Sequence, residues 1–260
     1  MHRFFRLAGW AALCLGSAAC AADPVTIVSS ENAPFAYTDA RTGKVAGVTT
    51  DILAAVFKRA NIAYAAEIYP WARAYMMGKS NADTCVFPVT RLPEREALFQ
   101  WVGPLSVNTW VLFARADFSS RLEGLEDLRS QHIGGLLEDG PSQYLKAQGL
   151  NVELVGDNKH NIRKLAAGRL TLWATGLERG RILAEEMGVT GLKPVFLLRE
   201  VDHYMACHPG MPPATMAKLN KALESLRGEG ALKAIAAQHE SKRLLGKSTQ
   251  PPGGGERARR

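Results

Sequence analysis

The stretch "DTCVFPVTRLPEREALFQWVGP", Asp83 to Pro104, begins as an apolar run and ends in charge. Thr90 closes the run, Arg91 follows it, and Arg95 stands five residues beyond Thr90 between Glu94 and Glu96. A guanidinium presents a rigid fork of N–H donors that matches a carboxylate in two parallel bonds, and it stays charged at any working pH. A hydroxyl at the strand end adds a donor, and Pro93 with Glu94 and Glu96 has the composition of a helix first turn, whose N–H groups can point the same way. The chemistry this arrangement suits is the grip of a small anion. Arg95 has a second reading, a surface arginine paired with Glu94 or Glu96, and Arg91 is open to a rim or an exposed role.

The elements that position these residues follow from hydrophobic period. "VTIVS" reads as a strand, and "TTDILAAVFKRA" as a helix capped by Thr49 or Thr50, with Ile52, Leu53, Val56 and Phe57 on one face. "YAAEIY" is a strand, "WARAYMMGKS" a short helix and "DTCVFPV" a strand, so this half predicts a mostly parallel sheet covered by helices. "WVGPLSVNTWVLFARAD" is a long extended segment leading to a second α/β unit. There, strands "HIGGLL", "NVELVG", "LTLWAT" and "KPVFLL" alternate with helices beginning near Leu125, Pro141, Asn158 (a candidate cap) and Leu177. "HYMACH" returns the chain, and two amphipathic helices close it, the first with Met216, Leu219, Leu223 and Leu226 on its core face. The expected units are 1–21 as a leader, 22–106 with 205–246 as lobe 1, 107–204 as lobe 2 and 247–260 as a flexible tail.

At 260 residues, 47% hydrophobic and 22% charged, the chain has globular composition. "MHRFFRLAGWAALCLGSAACAAD" has a basic start, a short apolar centre and small residues after it, the pattern of a secretory signal cleaved after Ala21; lipid attachment at Cys20 is the alternative, although Ser17 sits where that motif wants a bulky apolar residue. Loss of Arg3 and Arg6 takes the formal charge of +7 down by two, and much of the rest lies in the tail, leaving no concentrated basic face for nucleic acid. Cys85 and Cys207 remain in an exported chain, either as a disulfide or as buried thiols. His203, Cys207 and His208 do not converge as metal ligands on a strand, because His208 points away from the other two. No nucleophile motif of the Gly-x-Ser-x-Gly kind occurs, and no cofactor is implied.

Three stretches resemble the extracytoplasmic solute-binding proteins of ABC importers, family 3, the branch that binds polar amino acids. They are "ENAPFAYTDARTGKVAGVTTDIL", the opening stretch from Ala82 through Thr90 and Arg95 to "FQWVGP", and "LAAGRLTLWAT". The resemblance implies a type II periplasmic binding fold: two α/β lobes, two crossing hinge strands and a ligand cleft between the lobes. It gives Arg95 the role of carboxylate clasp and Thr90 that of an added donor. It places Phe35, Tyr37 and Trp71 as aromatic walls of the cleft, with Glu31 and Arg73 as further candidates. In lobe 2 it brings Gly140 and Ser142 of "EDGPS" to the ligand from the opposite side, with Thr175 on the strand of the third motif. It also implies a monomer in the periplasm, a small carboxylate-bearing ligand and a membrane permease as partner. Two other roles stay open on this fold: a cyclohexadienyl dehydratase-like enzyme and a ligand-sensing partner of a signalling receptor.

One departure bears on the ligand. Where the family's Gly-Arg-x-Asp pattern has its two aspartates, this chain has Thr171 and Gly176. A buried ammonium without a carboxylate partner is costly, so either Glu31, Asp139 or Glu178 replaces the missing acid, or the ligand is an acid without an amino group.

Overall fold

A computed structural model of the chain describes residues 24–248. The expected leader, with Cys14 and Cys20, and residues 249–260 lie outside the described residues. Strands β1 (Val25–Ser29), β2 (Tyr37–Thr38) and β3 (Val45–Ala46) lead to helix α1 (Val48–Ala60), then β4 (Tyr64–Ile68), α2 (Trp71–Ser80) and β5 (Thr84–Thr90). A 3₁₀ turn over Pro93–Leu98 joins β5 to β6 (Gln100–Arg115). A second such turn (Leu125–Leu128) precedes β7 (Ile133–Leu136), α3 (Gly140–Ala147), β8 (Val152–Val155), α4 (Asn158–Ala166), β9 (Leu172–Gly176) and α5 (Leu177–Glu186). The chain returns through β10 (Leu192–Cys207) and ends in α6 (Pro213–Gly228) and α7 (Ala231–Ser248).

The eight-stranded sheet has the order β4-β1-β5-β10-β6-β9-β7-β8. Its flanks β4-β1-β5 and β9-β7-β8 are parallel, as crossover helices require. Its middle is the antiparallel pair of β6 and β10, each 16 residues long, which belongs to both halves. The runs "KPVFLL" and "HYMACH" are thus one strand rather than two, because the polar residues between them stay paired to β6 along its length, with bulges.

Strand β5 is buried on both faces, which is why it reads as a continuous apolar run. Cys85 and Phe87 join Ile27, Phe57, Leu219 and Leu223 under α1 and α6, while Val86 and Val89 pack with Val28, Ala74 and Tyr75 under α2. In the other half Leu112, Ile133 and Leu172 pack against α3 through Leu145, and Phe113 and Trp173 against α4 and α5 through Ile162, Leu165 and Leu183. Each half therefore has its own core, and among the described residues two strands and the residues at the seam connect them.

Two helix starts differ from expectation. The N-cap of α1 is Gly47, and Thr49 and Thr50 lie inside the helix. A Cβ at Gly47 (φ 126°) would meet the Phe35 carbonyl oxygen at 2.4 Å, so close approach of two backbones decides this start. The N-cap of α4 is Asp157, whose carboxylate accepts from Lys159 N–H; Asn158 instead turns inward and accepts from Trp173 Nε1. Helix α7 also continues two residues into the segment read as a tail.

Cys85 and Cys207, partners in the β5–β10 register, form a disulfide across a sequence separation of 122 residues. A cross-link of that span stabilises by restricting the unfolded chain, typically by about 2–4 kcal/mol. Urea unfolding with and without reductant should show a loss of this size, and the double variant Cys85→Ala/Cys207→Ala should be insensitive to reductant.

Candidate ligand-binding cleft

A cavity of about 450 Å³ lies between the two halves of the molecule, within the range of small-ligand sites. One wall carries Glu31 and Trp71 with Thr90 and Arg95; the other carries Asp139, Gly140, Thr175 and Arg179, and the hinge strands supply Asn108, Trp110 and His203 between them.

Arg95 leaves the 3₁₀ turn after β5 and is 1% exposed. Its Nη1 donates to the carbonyl of Thr90 (3.3 Å), which is why a strand end followed by a tight turn can hold it. Its other bonds cross the seam: Nη2 donates to the Glu138 carbonyl (2.7 Å) and Nε to Gln143 Oε1 (3.1 Å). Glu138 adopts a positive φ of 62° and its carboxylate accepts from Gln143 Nε2, so both acceptors are oriented together. Beneath the guanidinium lies the Tyr75 ring, 5.0 Å to its centroid, a desolvated cation–π contact. Burial pulls the Arg95 pKa down, and Tyr75 and Asp139 oppose that pull.

Asp139 caps α3, accepting from Ser142 N–H (2.9 Å). Burial pushes its carboxyl up to about 6, against the hydrogen bonds from Ser142 and the attraction of Arg95. Gly140 follows because Trp110 lies on it; a Cβ there would meet the indole at 2.4 Å. His203 is buried against Phe35, ring centroids 4.6 Å apart, and its Nδ1 meets Ser106 Oγ at 3.3 Å. Burial drives its pKa down to about 3, so the imidazole is neutral. Among the described residues no group of His, Cys, Asp and Glu could hold a metal ion.

Of the residues nominated from sequence, Glu31, Trp71, Thr90, Arg95, Gly140 and Thr175 line the cavity together. The other four are not among its lining residues. Phe35 is in the core of its half, supporting His203; Tyr37 pairs with Ala46 in the small β2–β3 sheet; Arg73 lies over the Tyr69 ring on the outside (4.4 Å); and Ser142 is packed inward, where its Oγ would touch a side chain at Gly135. The surface ion pair considered for Arg95 belongs to Arg91, which binds Glu96. Sequence reasoning missed Arg179, Lys159, Asn108 and Trp110 in the lining. The available signal for Arg179 was its place in the first turn after a buried strand, the position from which a helix points a side chain back over the strand's end.

Residues 25–242 match the family model for bacterial extracellular solute-binding proteins, family 3. The chain belongs to this family. Three solved structures illustrate the shared fold. A histidine kinase sensor domain with similarity to periplasmic binding proteins superposes with a TM-score of 0.75 at 22% identity, covering 83% of this chain and 95% of that one. The arginine-, lysine-, histidine-binding protein ArtJ of Geobacillus stearothermophilus does so at 0.71 and 18%, covering 83% and 94%. An ancestral amino acid-binding protein, a precursor of cyclohexadienyl dehydratase, does so at 0.67 and 15%, covering 83% and 94%. No curated protein sequence matches the chain significantly. Among the described residues no helix is long and apolar enough to cross a membrane.

Within this family fold, the two altered positions have local explanations. The Thr171 hydroxyl is tied to the backbone N–H and carbonyl of His132 and is part of the scaffold. At Gly176, a Cβ would sit 2.8 Å from Asn108 Oδ1, so the space of an acidic side chain is taken by an amide from the hinge strand. Of the acids considered as substitutes, Glu31 and Asp139 line the cavity, whereas Glu178 does not and pairs with Arg181.

Asp139 makes the cleft's acid titration visible. Because its pKa is higher in the folded chain than its ordinary value of 3.8, the folded state holds the proton more tightly. The cost of ionising it in place is absent below the ordinary value, grows as pH rises to about 6 and stands in full above that. Asp139→Asn keeps a good cap and should gain about 1–3 kcal/mol over the parent at neutral pH, the worth of such a shift. The gain should vanish toward the ordinary carboxyl pKa, as urea unfolding across pH would show.

Proposed function

We propose that the chain is an exported receptor that captures a small carboxylate-bearing solute in the cleft and presents it, as a monomer, to the permease of an ABC importer. The observation that supports this reading above the others is Arg95. The protein uses one N–H of each of its three nitrogens, which leaves one on each terminal nitrogen of a side chain that lines the cavity. Two such donors match the two oxygens of a carboxylate. Thr90, which carries a hydroxyl, and Trp71, a flat aromatic ring, line the same cavity.

Capture is coupled to closure through the same residue. Arg95 comes from one half and its acceptors Glu138 and Gln143 from the other, so the bonds that orient its remaining donors toward a ligand form only when the halves are together. Rotation about β6 and β10 would open the cleft, since each half keeps its own core while they bend. The permease would then recognise the closed form, whose population the ligand raises by its preference for that state.

A thermal-shift panel of small organic acids and amino acids, followed by calorimetry, tests the reading; a true ligand at 100 times its Kd adds about 2.7 kcal/mol of stability. Two charge-assisted bonds are each worth about 1.5–3 kcal/mol, so Arg95→Ala should weaken the hit roughly 100-fold or more. Thr90→Ala, a gentler change at the same wall, should weaken it several-fold with the fold intact by circular dichroism. Unchanged affinity in both variants would refute the site.

A further inference from the structure

The hydrogen-bonding capacity of the cavity is lopsided. Each of its carboxylates already serves the protein: Glu31 accepts from Thr38 N–H and Oγ1, Asp139 from Ser142 N–H, and Asp157 from Lys159 N–H. Its donors do not. Arg179, in the first turn of α5, is largely buried yet makes no hydrogen bond or ion pair with any described residue, and Glu186, Glu31 and Asp157 act on it only from a distance. The ammonium of Lys159, an exposed residue, likewise makes no hydrogen bond with a described residue, and Trp71 Nε1 is a buried N–H without an acceptor among them. A buried guanidinium that finds no acceptor in its own protein carries a desolvation cost that an anionic ligand removes.

The location of Arg179 adds to this. It follows the cavity residue Gly176, the N-cap of α5, which has no side-chain cap bond, so the unpaired N–H groups of that first turn lie beside a cation. An acid at 176 would neutralise both, and Asn108 occupies its space. This end of the cleft thus presents positive charge, as Arg95 does at the seam.

We propose that Arg179 is a second anion clasp and that the solute is a small dianion, a dicarboxylate without an α-ammonium group, held by Arg95 at one end and by Arg179 with Lys159 at the other. The proposal rests on the reading of the cleft as a solute-capture site. It adds the substrate class and a residue that distinguishes that class from amino acids: an ammonium would meet unpaired donors where it needs an acceptor, while a second carboxylate meets a fork.

Calorimetry with glutarate, pentanoate, L-glutamate and L-arginine as probes, on the oxidised full chain, tests it. The expected result is that glutarate binds at least tenfold more tightly than pentanoate, which lacks the second charge, and than L-glutamate, which adds the ammonium. Arg179→Gln should erase glutarate's advantage over pentanoate, and Arg179→Lys should restore part of it. Arg181→Gln, the same charge change on the exposed side of α5, should leave the advantage in place, which separates a contact from a general field. Binding of the amino acids with no preference for glutarate would overturn the dianion proposal and leave solute capture standing. Failure of all four probes to bind at millimolar concentration would overturn the proposal and count against the acid-capture reading as well.

Discussion

A guanidinium that is almost wholly out of water must have its charge answered, and among the described residues Arg95 is answered without an ion pair. Carbonyls of Thr90 and Glu138, the amide of Gln143 and the face of Tyr75 share the task. Neutral acceptors make the site costly to leave and leave its charge uncancelled, so an anion entering the cavity still meets a cation. Because two of those acceptors come from the far side of the seam, the same bonds that solvate Arg95 hold the halves together. The tight turn after β5, the positive φ of Glu138 and the start of α3 all serve this geometry.

Around that contact the molecule divides cleanly in energetic terms. The cores beneath α1 and α6 on one side and beneath α3, α4 and α5 on the other do not interpenetrate. Among the described residues the halves are joined through β6 and β10 and through groups at the seam such as Arg95, Glu138 and Gln143. The Cys85–Cys207 bridge ties β10 to β5 inside one half, away from the middle of the crossing strands, so it braces one end of the hinge and leaves the rest of the pair able to bend. His203 lies where the hinge meets the cavity. Its neutral ring, backed by Phe35 and Ser106, adds a polar atom to the wall and no charge.

The departures from the family's sequence pattern are accommodated by neighbours. Gly176 is required because Asn108 occupies the space above it, and Thr171 has become a strut for the His132 backbone. The balance of filled and unfilled bonds in the cavity sets acids that accept from the protein's own N–H groups against an Arg179 with no acceptor among the described residues. That balance is a property of partners, invisible residue by residue.

Periodicity and composition were enough to order the elements, to place two α/β units and to mark β5 as a strand with an apolar run, which the structure explains by burial on both faces. They also singled out Thr90 and Arg95, since a strand end followed by Pro93 and charge has few other uses. Where the sequence was ambiguous, the competing partners were distant in the chain. Arg91 and Arg95 are equal in a list of residues; the turn directs one to Glu96 and the other 43 residues along, to the Glu138 carbonyl. Phe35 and Tyr37 follow the same proline, yet Phe35 packs behind His203 and Tyr37 sits in the small β2–β3 sheet, and neither is in the cavity lining. Arg179 and Asn108 enter that wall from helix α5 and from strand β6, elements whose own periodicity speaks only of their apolar faces. The sequence determined which segments fold and singled out Thr90 and Arg95 as candidates. Tertiary structure alone decided which donors remain unpaired once folding is complete, because pairing is settled between chain segments and not within them.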